Sequence, residues 1–272
     1  MAPAECATTD IPDHLHDQDI VWFRLDPSLS VGLGRGWVAS VGVPVDVRDV
    51  TVAYTTPDGA AYDPPYADIH HRTETLFGPA DGTATIKFYG AVGKVVLGGG
   101  VGTSLPIGRI ESDPYAAGLA GEQHQHLQLG SGTFNPLVSV DAMYAQGRWG
   151  AFTFASGRFP LYANEKGYQA PVAVSGGVGP TFKVLPTFIV MASVEANWES
   201  EEHWGGTAYA GKTAIGVGAG VVWSVSPAVA LQLQGRGNVW EAVQHQDEEG
   251  TFSQPLTATA GVSWTFGKHS AE

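Results

Sequence analysis

The segment His124-Gln125-His126 carries the residue types that point most directly to chemistry. Residues two apart on an extended segment face the same side, so both imidazoles would reach one ligand. Neutral imidazoles together with carboxylates suit Zn²⁺ or Cu²⁺. The candidate ligands are His124, His126, His70, His71 and His203, and the implied cofactor is copper or zinc. The alternative, which the sequence leaves open, is that exposed loops simply collect polar residues.

Acidic residues accompany these histidines in segments that we assign to long loops. They are Glu111, Asp113, Glu122, Glu201, Glu202, Asp247, Glu248 and Glu249. If these loops surround the entrance of a pore, the excess of carboxylates predicts a negative potential there, which favours cations and disfavours anions. The sequence does not predict catalysis. The enzymes to consider are the lipid hydrolases of bacterial outer membranes, which are β-barrels with a catalytic His and Ser on the lipid-facing surface near one end of the barrel. No His-X-Ser-Asn pairing is present, and His269-Ser270 follows the last predicted strand.

The overall composition restricts the classes of function. The formal net charge of −13 argues against nucleic acid as a partner, since no basic stripe can neutralise phosphates. The one cysteine, Cys6, excludes an internal disulfide framework. The sequence contains no run of about 18 apolar residues, so no transmembrane helix is predicted. MAPAECATTD has no basic and apolar regions of a signal peptide, so an exported protein would have this sequence in mature or trimmed form.

Strict alternation of apolar and small polar residues predicts that the elements positioning these groups are strands. We expect strands at about 19–33, 36–55, 82–91, 94–106, 134–145, 148–159, 169–183, 187–198, 208–225, 228–242 and 253–267. Many of them exceed the usual five or six residues of a globular strand. Barrels of bacterial outer membranes usually have an even number of strands. We therefore expect about 12 (a range of 10 to 14), the twelfth lying upstream, in residues 1–18, or in a miscut strand.

The polar faces of these strands carry isolated charges instead of the dense Lys and Glu of a solvated surface. The predicted lumen-lining residues are Arg24, Asp46, Lys87, Asp141, Glu195, Lys212 and Arg236. Aromatic residues stand near the ends of the apolar faces, and the predicted girdle contains Phe188, Trp198, Tyr209, Trp223, Trp264 and Phe266. Phe188 and Trp198 are ten residues apart, which spans about 25 Å in a tilted strand. Such a band fits a membrane better than a water-soluble β-sandwich.

Predicted connections alternate between short and long, as in an outer-membrane barrel. Short ones fall at about 34–36, 92–93, 146–148, 184–186 and 226–227, and long ones at about 56–81, 107–133, 160–168, 199–207 and 243–252. The predicted fold class is all-β: a transmembrane antiparallel up-and-down β-barrel with short turns at one end and long loops at the other. We expect an N-terminal extension at 1–18, the barrel at 19–267 and a C-terminal tail at 268–272.

Two segments, GGGVGTSLPIGR (98–109) and HQHLQLGSGTFNP (124–136), carry a family resemblance. They resemble bacterial outer-membrane transporter-type barrels, the group described as phenol meta-pathway degradation transporters and related barrels. In that group a strand ending in SLP-x-G precedes a long loop and a G-[ST]-G-x-x-[ND]-P turn. The matching residues here are Ser104, Leu105, Pro106, Gly108, Gly130, Gly132, Asn135 and Pro136. The chain departs from the pattern at 78–82, where GPADG stands in place of the Gly-Asp pair that often precedes a strand.

The sequence therefore favours a porin-like barrel or solute transporter in the bacterial outer membrane. We expect a narrow lumen and an acidic, His-rich extracellular rim. Expected partners are outer-membrane lipid and a small solute, and the sequence does not identify a protein partner. Two alternatives stay open. One is a barrel whose rim captures Cu or Zn, and the other is a water-soluble β-sandwich that binds a ligand.

Overall fold

The computed structural model describes residues 13–65, 73–124, 126–205, 207–209, 211–243, 253–254 and 256–266. Its strands in chain order are β1 Leu15–Leu25, β2 Ser28–Gly34, β3 Trp37–Gly42, β4 Val45–Thr55, β5 Glu74–Pro79, β6 Gly82–Val92, β7 Val95–Leu105, β8 Pro136–Gln146, β9 Trp149–Arg158, β10 Tyr168–Gln169, β11 Ala173–Leu185, β12 Phe188–Glu199, β13 Glu202–Trp204, β14 Thr207–Tyr209, β15 Lys212–Ser226, β16 Val229–Val243 and β17 Thr257–Trp264. A short helix, α1, covers Pro114–Leu119.

Eleven of these strands form one antiparallel main sheet in the order β17-β16-β15-β12-β11-β9-β8-β7-β6-β3-β2. Apart from the small elements inserted in the loops, each strand pairs with its neighbour in the chain, which is the up-and-down arrangement. The predicted all-β antiparallel up-and-down fold class is therefore confirmed. Eleven strands also lie within the expected range of 10 to 14. Residues 15–25 belong to β1, so the predicted extension is partly strand; residues 1–12, which could hold a twelfth strand, lie outside the described residues.

Five two-residue turns join strands at one end of the main sheet. They are residues 35–36, 93–94, 147–148, 186–187 and 227–228, close to the five predicted short connections. Gly93 and Gly147 have φ of 62° and 61° at the first turn position, which a type II′ hairpin turn requires. The other end carries the long connections 56–73, 106–135, 159–172, 200–211 and 244–256. The alternation of connection lengths is confirmed.

Three neighbouring strand pairs bend at prolines, and here the predicted strands were wrong in detail. The predicted strand 19–33 divides into β1 and β2 at Asp26-Pro27, and 36–55 divides into β3 and β4 at Val43-Pro44. The predicted loop 56–81 contains β5. Proline lacks the N–H that continues a ladder, so each strand breaks there. Hydrogen bonds from Val43 N to Pro27 O (3.2 Å) and from Ala80 N to Pro44 O (2.9 Å) still join the strands across the bend.

Beyond this bend, β1, β4 and β5 continue as a separate three-stranded sheet at the long-loop end. A second small sheet, β10-β13-β14, lies within the loops that follow β9 and β12. The predicted strand 208–225 was therefore wrong at its start: Tyr209 belongs to β14, and β15 begins at Lys212. The predicted strands 169–183 and 253–267 are observed at 173–185 and 257–264. Pro171 explains the later start of β11, since it cannot donate to the ladder.

The two faces of the main sheet differ in chemistry and in burial. One face, called the apolar face, carries large side chains that are exposed, including Val140, Val178, Val217, Leu233, Val262 and Trp264. Buried apolar side chains, including Val50, Leu76, Leu129 and Trp204, lie in the small sheets and loops instead. In the described part of the chain, no helix is both long and apolar enough to cross a membrane. The core of this protein is therefore not inside a sandwich of two sheets, because the main sheet exposes its apolar side.

Candidate functional site on the polar face

The opposite face of the main sheet, called the polar face, holds all five of the predicted lumen-lining residues that lie in this sheet. Cross-strand registers place Asp141 opposite Phe154, and Glu195 opposite both Gly177 and Gly216. Because side chains alternate along a strand, these registers fix one face for the whole row. Lys87, Lys212 and Arg236 fall on the same face. Arg24 and Asp46 lie instead in the three-stranded sheet, on β1 and β4.

Arg24 and Asp46 form the centre of a charge cluster. The Asp46 side chain is 0% exposed and accepts hydrogen bonds from Arg24 Nε at 2.7 Å, Arg24 Nη2 at 2.9 Å and Arg48 Nη2 at 2.9 Å. Trp22 lies under both guanidinium groups, with its ring centroid 4.6 Å from Arg24 and 4.4 Å from Arg48. Two cations share one carboxylate, so the cluster carries a net positive charge that the indole ring helps to stabilise.

Glu195 forms a second cluster in the main sheet. Its carboxylate accepts hydrogen bonds from Arg236 Nη1 at 3.2 Å and from Ser193 Oγ at 2.9 Å. Nearby, Lys212 pairs with Glu199 at 3.3 Å. The pair Lys212–Glu199 joins the neighbouring strands β15 and β12, whereas Arg236 of β16 reaches Glu195 of β12 across β15. Each pair is neutral.

Glycines on β7 and β15 make room for these side chains to lie flat. A Cβ on Gly98 would be 2.4 Å from the Asp141 carboxylate, and one on Gly100 would be 2.5 Å from Lys87 Cγ. On β15, a Cβ on Gly218 would be 2.7 Å from Ser193 Oγ. Glycines on the polar face could leave open space or be covered by a loop. In the structure, side chains of adjacent strands lie over them. The polar side chains thus follow the wall instead of projecting across the space beside it.

Phe152 and Phe154 are two residues of the polar face that sequence reasoning missed. The Phe154 ring covers Gly177, where an added Cβ would be 2.7 Å from its Cε1. The Phe152 ring covers Gly179 in the same way, since a Cβ added there would be 3.0 Å from Phe152 Cε1. In β9, WGAFTFASGR, both faces carry apolar or small residues, so alternation alone did not show which face is the polar face of the sheet. The useful signal was size: Ala151, Thr153 and Ala155 are small where the membrane-facing side would be expected to be large.

A half-open cavity of about 410 Å³ lies against the polar face near the long-loop end. Its hydroxyl and amide lining comes from Thr85, Ser139, Ser156, Ser175 and Asn197. Its charged lining comes from Lys87, Arg158 and Glu199. Ser156 and Ser175 hydrogen-bond to each other at 2.8 Å. This volume is within the range of small-molecule sites.

The predicted metal ligands are only partly within the described residues. His124 and His126 lie near each other, with ring centroids 5.3 Å apart, and His124 Nδ1 donates to the Glu122 carbonyl at 2.9 Å. His203 lies in β13, paired with Gln169 of β10 and Ala208 of β14. His70 and His71 are outside the described residues. Among the residues that are described, no group of three or more His, Cys, Asp or Glu side chains is arranged to hold a metal. The metal site stays a prediction.

Burial controls the protonation of several groups in the loops. Desolvation, followed by the charge of His124, lowers the pKa of His126 to about 4, and Asp113 opposes this shift. Tyr168 donates to Glu202 Oε2 at 2.9 Å. Desolvation raises the pKa of both Tyr168 and Glu202. His126 is therefore neutral at pH 7, the state in which imidazole binds metals.

The residues of the family resemblance form a hydrogen-bonded network that anchors the loop 106–135. The Asp81 carboxylate accepts from Ser131 N and Ser131 Oγ, both at 2.6 Å, and from Gly108 N at 3.1 Å. Asn135 is 1% exposed; its Nδ2 donates to Ser131 Oγ at 2.8 Å and its N donates to Ser104 Oγ at 2.8 Å. Gly108 and Gly130 touch backbone to backbone, where a Cβ on Gly108 would be 2.6 Å from Gly130 Cα. These residues therefore shape the loop.

Most of the residues predicted for the aromatic girdle lie at the short-turn end of the apolar face, and the girdle itself stays a prediction. Phe188 is directly opposite Trp223, and the Trp264 and Phe266 rings stack at 5.3 Å. The pairs Trp37–Phe88 and Trp149–Phe182, at 5.2 Å and 4.7 Å, extend this row. Trp198 lies at the other end of β12. Tyr209 is in the small sheet rather than on the strand that carries Trp223.

The solved structures that are similar to this chain at low sequence identity include two outer-membrane proteins. One is an outer-membrane channel from Pseudomonas putida F1, with 14% identity, a TM-score of 0.47, and coverage of 96% of this chain and 97% of that chain. The other is OmpT, an outer-membrane protein of Vibrio cholerae, with 11% identity, a TM-score of 0.40, and coverage of 96% and 99%. No protein-family model and no curated protein matches the sequence. The function of this chain therefore has to be inferred from its own faces, ion pairs and cavity.

Proposed function

We propose that this protein is a β-barrel of the bacterial outer membrane that passes a small solute through a narrow lumen. The observation that carries the proposal is the inversion of the main sheet: its apolar face is exposed, and its polar face borders a cavity. An exposed apolar surface that runs along the main sheet is typical of contact with a membrane or with another protein. Hydrocarbon next to the apolar face would remove it from water, as the bilayer does for outer-membrane barrels.

The width of the lumen follows from the number of strands. Eight strands leave an interior just filled by side chains, and 16 leave an aqueous channel. A barrel built on the eleven-stranded sheet lies between these limits. The glycine rows of β7 and β15 favour an open interior, since they let Lys87 and Asp141 lie along the wall. A narrow pore for small solutes is the function these features support best.

Two measurements test this proposal. The first is extraction of the folded protein by detergent and its behaviour in detergent-free buffer. A folded monomer in buffer alone would contradict the barrel and favour the water-soluble alternative. The second is single-channel conductance in planar bilayers. Discrete conductance steps are expected; bilayers that stay silent despite heat-modifiable, folded protein would contradict transport and favour a closed barrel.

The family resemblance supplies a finer proposal. The group of phenol meta-pathway degradation transporters shares the motif that here forms the loop anchor of Ser104, Gly108, Gly130 and Asn135. Membership would make the passage of small organic solutes the natural role. Uptake of such solutes by vesicles containing the protein, compared with empty vesicles, tests it.

Metal capture at the rim is a second candidate, favoured by the proximity of His124 to His126 and by the neutral state of His126 at pH 7. Copper or zinc bound to untagged protein should fall in a His124→Ala/His126→Ala variant. Equal metal content in the two proteins would end this candidate. A barrel of this kind would still conduct, so conductance and metal binding are independent tests.

A further inference from the structure

We propose that the cavity on the polar face is a binding site for a small organic anion, a carboxylate, within the lumen. This inference rests on the proposed channel, and it names the class of solute that the channel would accept. The cavity has room for a molecule of a few carbon atoms beside the carboxylate.

The first support is a set of donors that have no partner. Arg158 Nε and Asn197 Nδ2 are buried and make no hydrogen bond. Both residues border the cavity, on neighbouring rows of β9 and β12. A buried donor without a partner costs free energy, so an acceptor in the cavity would remove that cost. Carboxylate oxygens only accept hydrogen bonds, which matches this set.

The second support is charge. Lys87 borders the cavity, and its ammonium forms no ion pair or hydrogen bond with any described residue. Arg158 is likewise without an ion pair among the described residues. The carboxylate of Glu199, which also lines the cavity, is already paired with Lys212. Two unpaired cations therefore remain, and a guanidinium is the group best suited to hold a carboxylate.

The third support is the contrast with arginines of the main sheet and of the three-stranded sheet. Arg236 is bound by Glu195, and Arg24 and Arg48 share Asp46. Asp141 is the carboxylate that β8 carries on the polar face. It lies two residues beyond Ser139 and does not line the cavity. At the cavity, by contrast, Lys87 and the buried donors of Arg158 and Asn197 come together, and the carboxylate of Glu199 in the lining is already paired with Lys212. The hydroxyls of Ser139, Ser156 and Ser175 complete a polar floor.

The test is binding of butyrate to folded protein in detergent micelles by titration calorimetry, with butyramide as the uncharged control. Wild type should bind butyrate and not butyramide. The Lys87→Gln/Arg158→Gln variant should bind butyrate at least about tenfold more weakly, since two charge-assisted contacts are lost. Lys183→Gln is the matched control: it removes one cation near the short-turn end of β11, away from the cavity, and should bind like wild type.

Equal butyrate affinity in wild type and the double variant, or butyramide bound as tightly as butyrate, would overturn the site. If the double variant does not fold, Lys87→Gln alone should lower the anion-to-cation permeability ratio in bilayers, and an unchanged ratio would overturn it. Failure of the channel is separate: silent bilayers with intact calorimetric binding would reject transport and keep the site.

Discussion

The wall of the main sheet and the loop assembly above it accommodate polar groups in opposite ways. In the wall, large side chains such as Lys87 and Phe154 lie over glycines, and the backbone is used fully by the ladders. In the loops, small side chains such as Ser131 and Asn135 donate to the backbone, which has no ladder of its own. The wall can therefore change its side chains with little loss of fold, whereas the loops depend on each hydrogen bond. Substitutions in the two regions should differ accordingly.

The largest effect is expected from Asp81→Ala. The substitution removes one carboxylate that accepts three hydrogen bonds and leaves Ser131 N and Gly108 N without a partner. We expect a loss of about 2–4 kcal/mol, from the cost of unsatisfied buried donors. Limited proteolysis should cut within 106–135 far faster than in wild type, while the main sheet stays intact. Asp81→Asn should lie in between. Unchanged cleavage in the alanine variant would show that the network does not hold the loop.

Next in size is a pair of glycine substitutions on one strand. A Cβ on Gly102 would be 2.3 Å from Ala84 O, a backbone atom that cannot move freely, whereas Gly99, on the apolar face, has nothing within 4 Å. Gly102→Val should lower the free energy of unfolding by about 1–3 kcal/mol through overpacking. Gly99→Val should change it little. Urea denaturation of both variants in lipid vesicles provides the measurement, and equal stabilities would contradict close packing over β7.

A moderate, pH-dependent effect is expected at His126. Its pKa in the folded protein, about 4, is below the ordinary value of 6.5, so the unfolded chain binds the proton more readily. Stability from this residue is therefore complete above pH 6.5 and is lost as pH falls from 6.5 towards 4. The thermal midpoint of wild type should fall more steeply over this interval than that of His126→Gln. Parallel curves would contradict the burial of a neutral imidazole.

The smallest effect is expected from Glu195→Gln in the wall. The substitution leaves Arg236 without its counter-ion, so the polar face gains one net positive charge. Fold and stability should change by less than about 1 kcal/mol, because a neutral amide can still accept from Ser193 and Arg236. The reversal potential in a salt gradient should shift towards anions. An unchanged reversal potential would place Glu195 outside the conducting path.

Alternation in the sequence predicted most of the long strands and the one face of the main sheet that Lys87, Asp141, Glu195, Lys212 and Arg236 share, because a period of two indicates both at once. It could not reveal the bends, since apolar residues continue to alternate through Pro27 and Pro44. The pairing of Arg236 with Glu195 needed the register between strands that are 41 positions apart. The helix α1 and the small sheet β10-β13-β14 are short and carry no period. The clustering of His124 with His126 was within reach of the sequence because they are neighbours in the chain.

The two-residue turns also give the molecule an electrical polarity along its axis. Arg35, Lys94 and Arg148 each occupy one of these turns, and the turns contain no carboxylate. The loop 106–135 carries Glu111, Asp113 and Glu122 against the single base Arg109. The short-turn end is thus basic and the loop 106–135 at the other end is acidic, with the donor-rich cavity between these two ends. Ions entering from opposite ends meet opposite potentials first, so a conducting pore of this shape would rectify current.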